Sequence, residues 1–341
     1  MLMEKSPLVS IVVSNYNGWN LNVLAPCLES LFKLDYPSYE IILVDNCSTD
    51  GSVEEVEKLF GNNSKLKIIR HRENRYSKGL NEGAKSSKGK YVVYFNNDII
   101  ADPTYLKEAI DVFEERDDVA IIQGKLLSYF DHSKIDSIGE TMDLFGNPIT
   151  IGWGKQDVGQ YDQEQEILSA SGSASIIRKS IFDEIGYFGE EYFIGYEDMD
   201  LALRARLKGY KVLYTPKAIV YHMRGVTDLS DELRVRVRWH FNKNRIMTMI
   251  KNYSIKSLFK ALPVTILIYF LTFIWESIIK KNPRLGWTRI TALLWNLKEL
   301  RNILKQRAGI QSWLEGKPEK EIMSLMPQKT LLNNFRNFVK I

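Results

Sequence analysis

The stretch "IGYEDMDLALRARLKGYKV", residues 194–212, places three carboxylates, Glu197, Asp198 and Asp200, at the start of a helical pattern. Acidic residues suit that position for structural reasons alone, because they cap free amides and oppose the positive end of the helix dipole. Asp200 also stands four residues before Arg204, a stabilising helical spacing. Other polar clusters keep a chemical role open. In "YFNNDII", Asn96, Asn97 and Asp98 follow an apolar strand pattern, so Asp98, helped by either asparagine, can offer oxygen ligands to Mg²⁺ or Mn²⁺. Asp102, before Pro103, is better explained as a helix cap. In "VDNCSTDGS", Asp45 stands at a strand end, where its carboxylate is placed either for packing or to accept hydrogen bonds from a base or ribose, while Asp50 and Gly51 read as a turn and cap. The segment "HRENRYSKGLNEGA" brings Arg72, Arg75 and Lys78 close to Gly79 and Asn81 at a helix start, a set that suits diphosphate oxygens or a solvated loop. The small residues of "SGSAS", with Gly172 among them, allow either a close backbone approach to a ligand or tight packing.

These positions need a frame that gathers them. Through the first 125 residues, β-branched runs ("VSIVVS", "YEIILVD", "LKIIRH", "KYVVYFNND") alternate with amphipathic stretches ("LAPCLESLFKL", "SVEEVEKLF", "GLNEGAKSS"). Strands alternating with helices predict crossover units and a mostly parallel sheet covered on both faces. Ligands of such sheets sit beyond the carboxyl ends of the strands. Those ends are polar here: "SNYN" with Ser14, Tyr16 and Asn17, "DNCSTDGS" with Asp45 and Asn46, and "NND" with Asn97 and Asp98. The first strand is followed by Gly18 alone rather than a glycine-rich turn, which weakens nicotinamide, flavin and P-loop readings. Residues 126–165 read as loops with short strands, then "ILSASGSASIIRKSIFDEIG" as a strand feeding a helix, the acidic helix, and "GYKVLYTPKAIVYH" ending at His222.

The chain has 341 residues, 45% of them hydrophobic, and a net charge of +4 that conceals a division. Residues 251–341 hold 16 Lys and Arg against 5 Asp and Glu, whereas the preceding 250 hold 30 against 37. Two domains are expected, 1–228 and a basic helical region 229–341 with an apolar helix at 257–279. Its uncharged core, "ALPVTILIYFLTFIW", spans about 22 Å as a helix, short of a hydrocarbon core of about 30 Å, so an interfacial or re-entrant helix is expected rather than a simple span. Flanking Lys256, Lys260, Lys280, Lys281 and Arg284 suit anionic headgroups, and a buried helix of a second domain is the alternative. Nucleic acid is not an expected partner, because the basic residues are interleaved with a long apolar run. Cys27 and Cys47 form no metal or disulfide pattern, and no secretory signal pattern opens the sequence, so a cytoplasmic location at the inner face of the membrane is expected.

Six segments, "SIVVSNYN", "VDNCSTDGS", "NND", "SASGSASIIRKSIFDEIGYFGEEYF", "YEDMDLALRARLKGY" and "AIVYH", resemble in order and approximate spacing the family-2 inverting glycosyltransferases of the GT-A fold, especially the rhamnosyltransferase-like branch. The resemblance covers about residues 7–250. It implies transfer from a nucleotide-diphosphate sugar, linked to UDP, dTDP or GDP, to a hydroxyl of a saccharide or lipid-linked saccharide. It implies that Asp45 reads the base, with Ser14, Tyr16, Asn17, Asn46, Arg75, Lys78, Asn81, Asn97 and Gly172 around the donor. Asp98 falls in the family's metal-binding DxD signature, whose first position is Asn96 here, and His222 matches a further metal ligand for Mn²⁺ or Mg²⁺. Asp198 falls on the catalytic base, with Glu197 beside it. A sugar-nucleotide nucleotidyltransferase and a non-catalytic nucleotide-sugar or membrane-binding protein are the alternatives.

Overall fold

The computed structural model describes residues 6–225, 230–314 and 319–327. The expected boundary at 228/229 lies in 226–229, outside the described residues. The strands are β1 (Val9–Asn15), β2 (Tyr39–Asp45), β3 (Leu66–Arg70), β4 (Tyr91–Asn96), β5 (Ile99–Ala101), β6 (Val119–Ser128), β7 (Ile135–Ser137), β8 (Glu140–Met142), β9 (Pro148–Thr150), β10 (Gln165–Glu166), β11 (Ala174–Arg178) and β12 (Lys211–His222). Helices α1 (Leu24–Phe32), α2 (Ser52–Phe60), α3 (Tyr76–Ser86), α4 (Tyr105–Glu115), α5 (Ile181–Ile185) and α6 (Glu197–Lys208) cover them. The basic region supplies α7 (Asp231–Asn252), α8 (Ile255–Ile274), α9 (Pro283–Lys298), α10 (Leu300–Gln311) and α11 (Glu319–Ser324).

The main sheet runs β10-β12-β6-β11-β4-β1-β2-β3. Its half from β4 to β3 is parallel, as is the β6–β12 pair, while β11 lies antiparallel between β4 and β6. Both faces are covered, and the strand period shows why the runs are apolar throughout. Val9, Ile11 and Val13 of β1 enter a core with α1 and α4, whereas Val12 enters a second core with α3, α5 and α6. Because α6 is wedged between two layers, Leu201, Ala202 and Ala205 pack on the sheet and Met199, Leu203 and Leu207 pack on a third core built with α7, α8 and α10. A helix buried on both sides has no polar face to spare, so its charged residues must find partners inside.

The apolar helix differs from its expected length. Helix α8 begins at Ile255 and continues through a π-helical turn, Trp275–Ile279, giving 25 residues or about 37 Å. That is long enough and, at mean hydropathy 1.9 over its most apolar window, apolar enough to cross a membrane. The argument from shortness therefore fails: charged residues at its ends do not stop the backbone hydrogen bonding. Ala261, Thr265, Ile268, Tyr269 and Thr272 form its buried face. Phe259, Leu267, Phe270, Leu271 and Ile274 are exposed.

Candidate active site

The carboxyl ends of β1, β2 and β4 are tied together by side chains. Asn15, 1% exposed, donates from Nδ2 to Asp45 Oδ1 at 2.9 Å and accepts at Oδ1 from Asn97 Nδ2 at 2.7 Å. Asp45 also accepts from the Ser48 amide at 3.0 Å and the Ser48 hydroxyl at 2.5 Å, which fixes its carboxylate. Gly18 makes this possible: a Cβ there would stand 2.2 Å from Asn97 Nδ2 and 2.5 Å from Asn15 Oδ1. Asn46 donates to Ser14 Oγ at 3.0 Å and leaves its own Oδ1 buried without a partner. Asn17, at φ 52°, accepts from the Thr49 amide, and the Tyr16 ring is 48% exposed above the cluster's edge. Asp50 instead accepts from the amides of Trp19, Asn20 and Ser52, so beyond the turn read from the sequence it ties the α2 start to the loop after β1, and Gly51 holds the N-cap position without a side-chain cap.

One residue beyond Asn97, Asp98 meets the end of β12. His222 pairs with Ile99 in the β5–β12 ladder, which sets its Nε2 3.3 Å from Asp98 Oδ2. Its Nδ1 lies 2.9 Å from Asp136 Oδ2 on β7, and Arg224 holds the other Asp136 oxygen at 2.7 Å. Burial works against a charged imidazole, but the carboxylates of Asp136 and Asp98 outweigh it and lift His222 to about 9. Asp98 Oδ1 is buried without a partner. An orphaned carboxylate oxygen beside an imidazole nitrogen, with a second carboxylate orienting that imidazole, is a donor set that fits a divalent cation. Among the described residues no group of three or more His, Cys, Asp or Glu gathers as a full metal cage, so the remaining ligands would come from a substrate or water.

The acidic start of α6 faces the same place. Asp198 accepts from the Gly172 amide at 2.9 Å and from the Met199 amide at 2.7 Å, and a Cβ on Gly172 would stand 3.3 Å from Asp198 Oδ2. Gly172 is thus small because the carboxylate lies against it. Glu197 is 5% exposed, with Oε2 unpartnered. Burial raises the carboxyls of both, and the Asp198 charge raises Glu197 further. Glu140 on β8, bonded by the Thr150 hydroxyl at 3.0 Å, is pushed up to about 8 by burial and then by Asp198. Tyr76 joins the two halves. Its hydroxyl donates to Asn96 Oδ1 at 3.0 Å, and burial, followed by the charges of Glu197, Asp198 and Asp98, holds the phenol well above its usual value.

Asp200 has a different task. It is fully buried, 2.9 Å from Arg204, 3.1 Å from Lys251 and 2.9 Å from Asn252 Nδ2, and these partners hold its carboxyl far below the usual range despite burial.

The structure brings Ser14, Asp45, Asn46, Asn97, Asp98, His222, Gly172, Glu197 and Asp198 to one end of the sheet. Asn81 is a correction: its Nδ2 donates to the Phe188 carbonyl and its Oδ1 accepts from the Phe188 amide, so this buried side chain clamps α3 to that loop rather than standing open to a diphosphate. Arg75 and Lys78 are half-exposed and turned toward Glu73 at 2.7 Å and Glu82 at 3.8 Å rather than into the cluster. Asn15, Tyr76, Asp136 and Glu140 were missed. Asn15 was within the polar strand end "SNYN", but its place directly opposite Asp45 in the β1–β2 register needs the fold, and the other three carry no signal without it.

The sequence profile described as Glycosyl transferase family 2 matches residues 10–186, more than half of the chain. The chain belongs to glycosyl transferase family 2. An uncharacterized protein of Sinorhizobium fredii is 29% identical over 253 residues, 69% of this chain and 27% of that one. The O-antigen biosynthesis protein RfbC of Myxococcus xanthus is 24% identical over 242 residues, 69% of this chain and 19% of that one. The chain therefore spans about a quarter or less of these two curated relatives. The mannosyltransferase PcManGT of Pyrobaculum calidifontis, solved with GDP-Man and Mn²⁺, superimposes with a TM-score of 0.54 at 17% identity, covering 91% of this chain and 86% of that one. The fold of this family 2 member is accordingly of the GT-A type.

Proposed function

We propose that this family 2 chain transfers a sugar from a nucleoside-diphosphate donor, linked to UDP, dTDP or GDP, to a hydroxyl of a saccharide or lipid-linked saccharide, with inversion at the anomeric carbon. The supporting observation is the gathering around Tyr76: Asp98, 3.3 Å from His222, and the Glu197–Asp198 carboxylates all act on the one buried phenol. The rhamnosyltransferase-like branch is the assignment that the motif "YEDMDLALRARLKGY" supports. Residues 1–228 form the transferase domain and 229–341 a helical region that meets the membrane.

In this reading Asp45, fixed by Asn15 and Ser48, accepts from the donor's base, and Ser14, Tyr16, Asn17 and Asn46 surround the nucleoside. Asp98 and His222 would hold Mn²⁺ or Mg²⁺, with Asp136 orienting the imidazole. When bound, such a cation opposes the negative charge that develops on the leaving diphosphate. Asp198 accepts the proton of the acceptor hydroxyl at Oδ1 or Oδ2 as that oxygen attacks, and general-base help of this kind is worth roughly 10² to 10⁴ in rate. Its two backbone amide contacts keep the carboxylate aimed, while burial keeps it basic. Glu197, held neutral by its surroundings, orients acceptor hydroxyls. Attack from the side opposite the departing diphosphate in a single displacement inverts configuration.

The deciding experiment is a panel of nucleotide sugars offered to the full chain with and without Mn²⁺, reading donor hydrolysis and thermal shift. Hydrolysis and stabilisation by one nucleotide class, both lost on chelation, are expected. A protein that binds a donor yet never turns it over under any acceptor condition, and whose Asp198→Asn variant behaves identically, would be a binding protein instead. Contact of the basic, apolar α8 region with the inner face of the membrane is part of the proposal, supported by an exposed apolar face flanked by Lys256, Lys260, Lys280 and Lys281.

A further inference from the structure

A cavity of about 1200 Å³ opens between α7, the start of α9 and the β8–β9 turn. It is not the cluster described above, although it borders on it. Tyr196 lines it and lies two residues before Asp198, so their Cα atoms are no more than about 7.6 Å apart. Phe241, also in the lining, packs against Gly195 and the Tyr196 ring.

Five arginines line this cavity: Arg234, Arg238 and Arg245 from α7, with Arg284 and Arg289 from α9. The lining carboxylates are Asp231 and Glu232, both exposed at the first turn of α7. Arg289 is committed to Glu276 at 2.9 and 3.1 Å. Arg238 is half-buried, and burial and then the Arg289 charge disfavour its own charge, an effect that Glu276 offsets only in part. Among the described residues neither Arg238 nor Arg284 stands in an ion pair with a carboxylate. Cations crowded in a part-desolvated groove are unfavourable until an anion joins them, and guanidinium forks match phosphate oxygens in particular. Close in sequence to the lining residues Asn282 and Arg284 stand exposed apolar side chains, Ile278 and Ile279, 65% and 60% exposed, and Trp287.

The geometry points to this groove as the binding site for the diphosphate of a lipid-diphosphate-linked acceptor, held by Arg238 and Arg284, with the lipid leaving over Ile278, Ile279 and Trp287 and the sugar passing Tyr196 toward Asp198. A membrane phospholipid headgroup offers one of the same chemical groups. The diphosphate is favoured because five arginines line the groove and Tyr196 brings it up to the α6 start, whereas a headgroup needs only the flanking lysines. The acceptor class rests on the sugar-transfer reading above; the binding of a lipid diphosphate does not.

The test is calorimetric titration of the full chain with farnesyl diphosphate, inorganic pyrophosphate and farnesol, in EDTA so that no cation recruits diphosphate to Asp98. Farnesyl diphosphate is expected to bind, pyrophosphate more weakly and farnesol hardly at all. Arg284→Gln, at an exposed position, and Arg238→Gln are each expected to weaken farnesyl diphosphate roughly ten-fold or more, as loss of a charged hydrogen-bond donor implies. Asp98→Asn should leave this binding unchanged while abolishing metal-dependent donor binding, so failure of the groove and failure of the donor site are read separately. Unchanged melting curves keep Arg238→Gln interpretable, and Arg284→Gln stands if they change. The inference is overturned if farnesyl diphosphate does not bind, if both arginine variants bind it as the parent does, or if phosphatidylglycerol vesicles bind as tightly and lose binding through the same two substitutions.

Discussion

At the residue scale, the proposed chemistry turns on how burial sets the charge of a few carboxylates. Asp198 must be ionised to accept a proton, and burial raises its carboxyl above the ordinary aspartate value of about 3.9. The acidic limb of the pH–kcat/KM profile should therefore lie above that value, with activity falling as pH drops through it. Glu140, pushed up to about 8, is already neutral where Asp198 titrates, so Glu140→Gln should leave the limb in place in a profile measured beside the parent. Asp198→Asn should lower kcat by about 10² to 10⁴ while leaving donor affinity, read by titration, nearly unchanged. Asp136→Asn removes the carboxylate that orients His222 and should weaken Mn²⁺ binding about 10- to 100-fold in a metal titration. Asp136 was invisible in the sequence because "KIDSIGE" sits in a stretch of loops and short strands, and only the β6–β7 pairing turns its carboxylate toward β12. Asp98 was legible because it follows an apolar strand pattern that stops abruptly, whereas Asp198 was singled out by the family resemblance of "YEDMDLALRARLKGY".

At the element scale, the strand runs were legible almost residue by residue. A strand covered on both faces is apolar at every position, and that signal ends where the covering ends. Helix α3 begins at Tyr76, earlier than "GLNEGAKSS" suggested, because Tyr76 and Ser77 are anchored to Asn96 and the Phe193 carbonyl rather than by any capping residue. Those contacts are long-range and leave no local pattern. The antiparallel place of β11 between two parallel pairs was equally hidden, since a five-residue apolar run reads alike in either direction. Helix α6 owes its setting to Asp200, whose carboxylate meets Arg204 on the same helix and Lys251 and Asn252 on α7. Removing one member of a buried ionic cluster leaves the others uncompensated, so Asp200→Ala should cost about 3–5 kcal/mol in denaturant unfolding, with the loss felt across both helices.

At the scale of the whole molecule, side chains of the sheet region and of the basic helices share one core. The apolar face of α8 points away from that core. Phe259, 74% exposed, and Phe270 should each contribute to partition into anionic vesicles, and Phe259→Asp with Phe270→Asp should reduce co-sedimentation roughly ten-fold or more for each side chain withdrawn from lipid. Added salt should weaken the remaining attraction by screening the lysines.

The Asp200 contacts reach the last two residues of α7, and α8 starts three residues after the second of them. The proposed base is thus fastened, through one helix turn, to the part of the chain that would rest on lipid. On the proposed reading, the depth to which α8 settles would fix the altitude of Asp198 above the headgroups, and an acceptor would be served only if its hydroxyl stood at that altitude. The distance between a sugar and its anchor becomes a criterion of choice, independent of which sugar it is.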